Sequence, residues 1–235
     1  MQQIIALGGG GFSMEPDNPL LDDYILKQAS VKRPKICFIG TASGDAEGYI
    51  QRFYNFFNNT ECEPTHLSLF NPPTQPLHDY VLEQDIIYIG GGNTKNLLIL
   101  WKEWGLDQIL KEAYHQGILL CGISAGSICW FEEGLTDSYG DQLEPITALG
   151  LLKGSHSPHY DGESNRRPAY RKMIMDKRLK TGIAADDGVG LHYIDGNLVK
   201  VVSSRTHAAA YQVELSNEGI KEILLEPYYL GQEID

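Results

Sequence analysis

Ser124 is the residue at which this sequence can do covalent chemistry. It lies in Gly-Ile-Ser-Ala-Gly at 122–126, just after the short apolar run 118–121. That order describes a nucleophile elbow, in which a buried strand turns sharply into a helix and the nucleophile sits at the bend in a strained backbone conformation. The positions two residues to either side must then lack bulk, and Gly122 and Gly126 occupy them. Residues 125–131 supply the predicted helix, with its N-terminus facing the serine. A tight packing turn made of small residues carries the same pattern, so the motif gains weight only from what the rest of the chain adds.

A serine hydroxyl needs a base within hydrogen-bond reach, and the base needs an orienting acid. Seven histidines are available. His159, in Ser-Pro-His-Tyr-Asp, follows a predicted strand and precedes a polar loop, where strand ends meet ligands in open α/β sheets. His66, His78 and His115 fall on strand or helix bodies before the elbow and read as packed or solvated; His156, His192 and His207 stay open as alternatives. For the acid, Asp187 in Ala-Ala-Asp-Asp-Gly closes a predicted strand, although Asp-Gly is also a common turn pair. Asp137, in the loop after the elbow helix, competes with it. A tetrahedral intermediate needs two backbone donors. Ala125 N–H is one, and Gly91 or Gly92, in Gly-Gly-Gly-Asn-Thr at 90–94, offers the other because glycine permits close backbone approach.

Other chemistries fit less well. The glycine run 8–11 invites a dinucleotide reading, but Ser13 stands where the third glycine is required and no acidic residue closes the second strand at 40–41. No metal-ligand spacing such as His-Glu-x-x-His occurs, and no cofactor is expected. With 19 Lys plus Arg against 31 Asp plus Glu, the net charge is −12, which disfavours nucleic acid as a partner. The basic residues clustered over 166–180 read as the exposed face of a helix. Cys37, Cys62, Cys121 and Cys129 show no Cys-x-x-Cys spacing and read as reduced core residues. No signal peptide and no apolar run of the roughly 18 to 20 residues that cross a bilayer is found, so a cytoplasmic protein with no membrane partner is expected. The oligomeric state is not legible.

The elements that must position these residues alternate. Strands are predicted at 4–7, 35–40, 65–69, 85–89 and 118–121, with helices over 19–29, 45–58, 77–84, 94–101 and 106–116. Strands apolar on both faces and joined by helices imply a mostly parallel sheet with helices on both faces. Beyond the elbow, strands are expected at 149–157, 182–185 and 208–215 and a helix at 165–179. Residues 189–194 and 197–202, separated by Asp195-Gly196, predict a C-terminal β-hairpin. The whole chain, 1–235, reads as a single α/β hydrolytic domain.

Gly-Ile-Ser-Ala-Gly-Ser at 122–127, Gly-Gly-Gly-Asn-Thr at 90–94 and Ser-Pro-His-Tyr at 157–160 together resemble the peptidase E family of serine peptidases, which includes α-aspartyl dipeptidases and the related cyanophycinases. The resemblance runs from about Ile4 to Tyr211. It implies a fold like that of class I glutamine amidotransferases, Ser124 as nucleophile and His159 as general base. It puts a carboxylate, often a glutamate, at the position of Asp187, whose side chain is one methylene shorter. It also implies a small peptide substrate, with an arginine recognising an N-terminal aspartyl carboxylate. Arg166 lies nearest that place, and a solvated arginine at a helix start is the competing reading. Asn93, beside the glycines, is the other candidate substrate contact. A catalytically silent relative that binds a small peptide or metabolite, and a hydrolase of other amides or esters, stay open.

Overall fold

The computed structural model describes residues 1–140 and 142–231. Its elements run β1 (Gln3–Leu7), α1 (Gly11–Met14), α2 (Leu20–Leu26), β2 (Lys35–Ile39), α3 (Glu47–Phe57), β3 (Glu63–Leu67), α4 (Leu77–Leu82), β4 (Ile86–Ile89), α5 (Thr94–Glu103), α6 (Leu106–Gln116), β5 (Leu119–Ile123) and α7 (Ala125–Ile128). After the elbow come β6 (Phe131–Thr136), β7 (Glu144–Thr147), β8 (Leu152–Ser157), α8 (Arg166–Met175), β9 (Gly182–Ala185), β10 (Val189–Ile194), β11 (Asn197–Ser203), β12 (Ala210–Ser216), β13 (Gly219–Leu225) and β14 (Tyr228–Tyr229).

An eight-stranded sheet, in the order β14-β11-β10-β1-β5-β4-β2-β3, forms the centre. Strands β1, β5, β4, β2 and β3 are parallel. β10 joins β1 antiparallel, and β11 pairs antiparallel with β10 through the turn Asp195-Gly196. Both turn residues have positive φ, 48° and 79°, the backbone that suits a two-residue hairpin loop. The parallel strands are buried on both faces: Ile4 and Ala6 of β1 pack with Leu97, Trp101 and Leu110, whereas Ile5 and Leu7 pack with Phe12, Leu21, Phe53 and Phe57. Helices thus cover both sides, as two apolar faces require.

The structure departs from the sequence reading after Ile128. The elbow helix, expected over 125–131, is a single turn ending at Ile128, and Phe131 instead begins β6. β6 pairs parallel with β8 and antiparallel with β7, within a second, six-stranded sheet ordered β13-β12-β9-β8-β6-β7. The sequence did not announce this sheet, because β6, β7 and β13 carry glutamates, a proline or a lysine between their apolar residues. β3 starts at Glu63 rather than Thr65; Pro64 is tolerated because β3 is the outer strand. No helix among the described residues is long and apolar enough to cross a membrane.

One buried carboxylate ties the first loop to this core. Asp22 of α2 is fully buried; its Oδ2 accepts the Phe12 N–H at 2.7 Å, while Oδ1 and the neighbouring Tyr88 hydroxyl have no partner among the described residues. Burial pushes its pKa up to about 7, against the smaller opposing effect of the Phe12 amide. Because the folded-state pKa lies above the unfolded one near 3.8, the stability linked to Asp22 is full below that value and is lost as pH rises through about 7. Wild type should therefore lose roughly 2 to 3 kcal/mol from this group between pH 5 and pH 8, and Asp22→Asn should not. Denaturant midpoints of both proteins at the two pH values test this; an unchanged slope in Asp22→Asn would exclude Asp22 as its source.

Candidate active site

The parallel strands deliver the site to one edge of the sheet, beyond their C-terminal ends. Ser124 follows β5 directly and has φ 58° and ψ −114°, outside the regions that L residues favour. Such a conformation costs about 1 to 3 kcal/mol and persists only where the surroundings impose it. Here they do. A Cβ on Gly122 would lie 2.3 Å from the Gly126 carbonyl oxygen, and one on Gly126 would lie 2.2 Å from that of Ile89 in β4. Only glycine at both places lets the elbow seat against its neighbouring strand. Ser124 N–H donates to Leu7 O at 3.3 Å, and its carbonyl accepts from Ser127 N at 2.9 Å and Ile128 N at 3.0 Å. With only four residues, α7 contributes these local amides more than a macrodipole.

His159 is fastened to the adjacent carbonyl of the same strand end. Its N–H donates to Gly8 O at 3.1 Å, and the following Tyr160 N–H donates to Ala185 O at 3.1 Å, at the end of β9. Its backbone also has a positive φ, 53°. The ring Nδ1 lies 2.6 Å from Asp187 Oδ1, with both side chains largely buried. An ionised carboxylate only accepts, so this contact places the proton on Nδ1 and leaves Nε2 as the acceptor. Asp187 in turn is set by its own backbone: its N–H donates to Asp161 Oδ1 at 2.8 Å.

The missing methylene is offset by glycine. A Cβ on Gly9 would lie 2.0 Å from Asp187 Oδ1, and one on Gly162 would lie 2.6 Å from Oδ2. The loop after β1 therefore lies directly against the carboxylate, held by Gly188 N–H to Gly9 O at 3.0 Å and Gly8 N–H to Val189 O at 2.9 Å. The glycine run 8–11 thus brings His159 and Asp187 together, a use its sequence did not disclose. The neighbouring Asp186 turns away, accepting the Ala209 N–H at 2.9 Å. Asp137 is exposed in the turn after β6, where its carbonyl accepts Gly140 N–H.

The second glycine loop touches Ser124: a Cβ on Gly91 would lie 3.2 Å from Ser124 Cβ. Gly91 N–H donates to the Tyr49 hydroxyl at 3.2 Å, so that amide is already engaged. Gly92 has φ 139°, and a Cβ there would lie 2.3 Å from Ala42 O. Asn93 caps α5, its Oδ1 accepting Asn96 N–H at 2.9 Å and its Nδ2 donating to Ser138 O at 3.2 Å. Arg166 is buried rather than solvated: Nε and Nη2 meet Glu163 Oε2 at 2.9 and 2.7 Å, and Nη1 donates to Leu135 O at 3.0 Å.

The other histidines hold packed or surface positions, His207 being exposed in the turn after β11. His156 is buried behind the elbow, with Nδ1 2.8 Å from Ile183 O and Nε2 3.1 Å from Ser127 Oγ, a hydroxyl that also lies 2.8 Å from Ser124 O. Burial lowers its pKa to about 3, so the ring is neutral near pH 7. His192 contacts Tyr24 and Gln3, His66 contacts Tyr54, and His78 and His115 are on the surface with Glu112 and Gln2. The support from His156 and Ser127 was missed in the sequence because it joins strand and elbow across the fold.

Comparison with known proteins identifies the family. The model of Peptidase family S51 matches residues 4–201. The uncharacterized peptidase YgaJ of Bacillus subtilis is 58% identical over 98% of this chain and 100% of its own length. Among solved structures, a peptidase from an acI-B1 Actinobacterium superposes with a TM-score of 0.70 at 19% identity, covering 100% of this chain and 96% of that one. A candidate peptidase E protein from Listeria monocytogenes gives a TM-score of 0.58 at 17% identity, with 96% and 100% covered. At those identities the structural likeness speaks for the α/β fold, while the family match and the Bacillus relative speak for the activity. The chain belongs to peptidase family S51, the peptidase E family, and is a serine-type peptidase.

Proposed function

We propose that the protein hydrolyses short peptides through an acyl-enzyme on Ser124, and the observation that carries this is the 2.6 Å contact between His159 Nδ1 and Asp187 Oδ1 beside the strained serine. His159 Nε2 takes the Ser124 proton as Oγ attacks the scissile carbonyl, then passes it to the departing amine, and a water repeats the sequence to release the acid. Asp187 holds the tautomer and stabilises the imidazolium. Ala125 N–H and Gly92 N–H are our assignment for the oxyanion, since Gly91 N–H is engaged by Tyr49 unless that hydroxyl moves.

A class I glutamine amidotransferase-like core, a single domain and a cytoplasmic setting belong to the same reading; four buried thiols suit a reducing compartment. So does a preference for dipeptides with N-terminal aspartate, which the family resemblance supports. Arg166 would serve that preference only by exchanging Glu163 for the substrate carboxylate. A fluorophosphonate probe and a dipeptide library varied at the N-terminal residue test the proposal together. Labelling at Ser124 with dipeptide cleavage is expected. A protein that binds dipeptides and neither labels nor cleaves would be a silent relative, and the proposal would fail.

A further inference from the structure

The catalytic edge has an order that gives the substrate a direction. Along the sheet, the loop after β4 is followed by Ser124 at β5, the His159 anchor at β1, Asp187-Gly188 at the start of β10 and Ser204-Arg205 at the end of β11. The oxyanion donors assigned above stand on the β4 side. The departing amine must collect its proton from His159, so the leaving portion of the peptide runs the other way, over β1 toward β10.

Arg205 stands on that path. A Cβ on Gly188 would lie 2.8 Å from Arg205 Cγ and 2.9 Å from Cδ, so the arginine stem crosses the residue next to Asp187 and needs glycine there. Its Nε donates to Glu15 Oε1 at 2.8 Å, and Glu15 Oε2 accepts the Ser204 hydroxyl at 3.0 Å. Glu15 is thereby satisfied through Nε, and the two terminal amino groups of the guanidinium have no hydrogen-bond partner among the described residues. The side chain is 37% exposed. Asp161 and Asp187 also exert their field on this cation, so Arg205 is the positive group that a carboxylate arriving at this acidic corner meets.

Reach agrees with this placement. Gly188 lies two strands from Ser124, and strands are about 4.8 Å apart, so the arginine stem is roughly 10 Å from the nucleophile column. An attacking distance of about 3 Å, one leaving residue of about 3.5 Å and a charged hydrogen bond of about 2.8 Å cover nearly that span.

We propose that Arg205, held by Glu15 over Gly188, binds the free carboxylate of the leaving residue and so makes the protein selective for peptides that end one residue beyond the cleaved bond. This rests on the reading of Ser124 and His159 given above. The chemistry is that of a guanidinium fork on a carboxylate, which a carboxamide cannot reproduce.

Binding to the Ser124→Ala protein, where turnover does not intervene, tests it. A set of Xaa-Leu dipeptides and the matching Xaa-leucinamides, measured by calorimetry, should show the free acids binding at least about tenfold tighter. In Ser124→Ala/Arg205→Gln that difference should fall to about onefold, with Arg205→Lys intermediate and Glu15→Gln retaining it. Equal binding of acids and amides to Ser124→Ala, or a difference that survives Arg205→Gln in a folded protein, overturns the proposal. If Arg205 acts only as a point charge balancing Asp161 and Asp187, Arg205→Lys keeps the acid preference in full, which is also a refutation. Fluorophosphonate labelling of the wild-type protein reports separately on the catalytic reading: loss of labelling removes that reading, and loss of the acid preference removes this one.

Discussion

Ser124→Ala is expected to lower kcat by a factor on the order of 10⁴ to 10⁶, with the unfolding midpoint nearly unchanged. In the proposed mechanism the fall is large because the hydroxyl is the atom that forms the acyl-enzyme, with no neighbouring group to replace it. Ser127 is the nearest serine in sequence, but its hydroxyl is occupied with Ser124 O and His156 behind the elbow. The fold should tolerate the change, since alanine keeps the Cβ and the backbone hydrogen bonds to Leu7, Ser127 and Ile128 do not involve the hydroxyl. Steady-state hydrolysis of the best library dipeptide, alongside thermal unfolding, decides the matter. Wild-type turnover in a folded Ser124→Ala protein would end the serine assignment.

Asp187→Asn should reduce turnover by roughly 10³ to 10⁴ while leaving the fold intact, because the amide defeats the ring's tautomer. In the proposed mechanism the carboxylate 2.6 Å from His159 Nδ1 accepts the Nδ1 proton and keeps Nε2 free to accept from Ser124. An asparagine can turn its NH₂ toward Nδ1, which makes Nδ1 the acceptor, puts the proton on Nε2 and removes the base. Asp137→Asn should change turnover by less than about threefold, since Asp137 is exposed in a turn on the second sheet. The two variants, assayed side by side across pH, discriminate the assignments. Comparable losses in both, or a larger loss in Asp137→Asn, would reverse the choice of acid.

What the sequence determined by itself is the local geometry of the elbow and the loops beside it. The demand for small residues at 122 and 126 arises from sterics within one strand–turn–helix unit, so five consecutive residues disclose it. The same holds for the glycines at 90–92 and for the alternation of strands and helices up to α6, whose apolar periods are set by burial on both faces. The partner of His159 was not legible to that degree, nor was the role of the run 8–11. Both depend on β10 lying antiparallel to β1, which carries Asp187 against Gly9 although the two residues are far apart in the chain. Arg166 shows the limit most plainly. A basic residue beginning a polar helix reads as solvated, yet α8 packs against the second sheet and takes the guanidinium inside to Glu163 and Leu135 O. Strand order and the docking of a second sheet are non-local pairings, and they decide which charges meet and which stay at the surface.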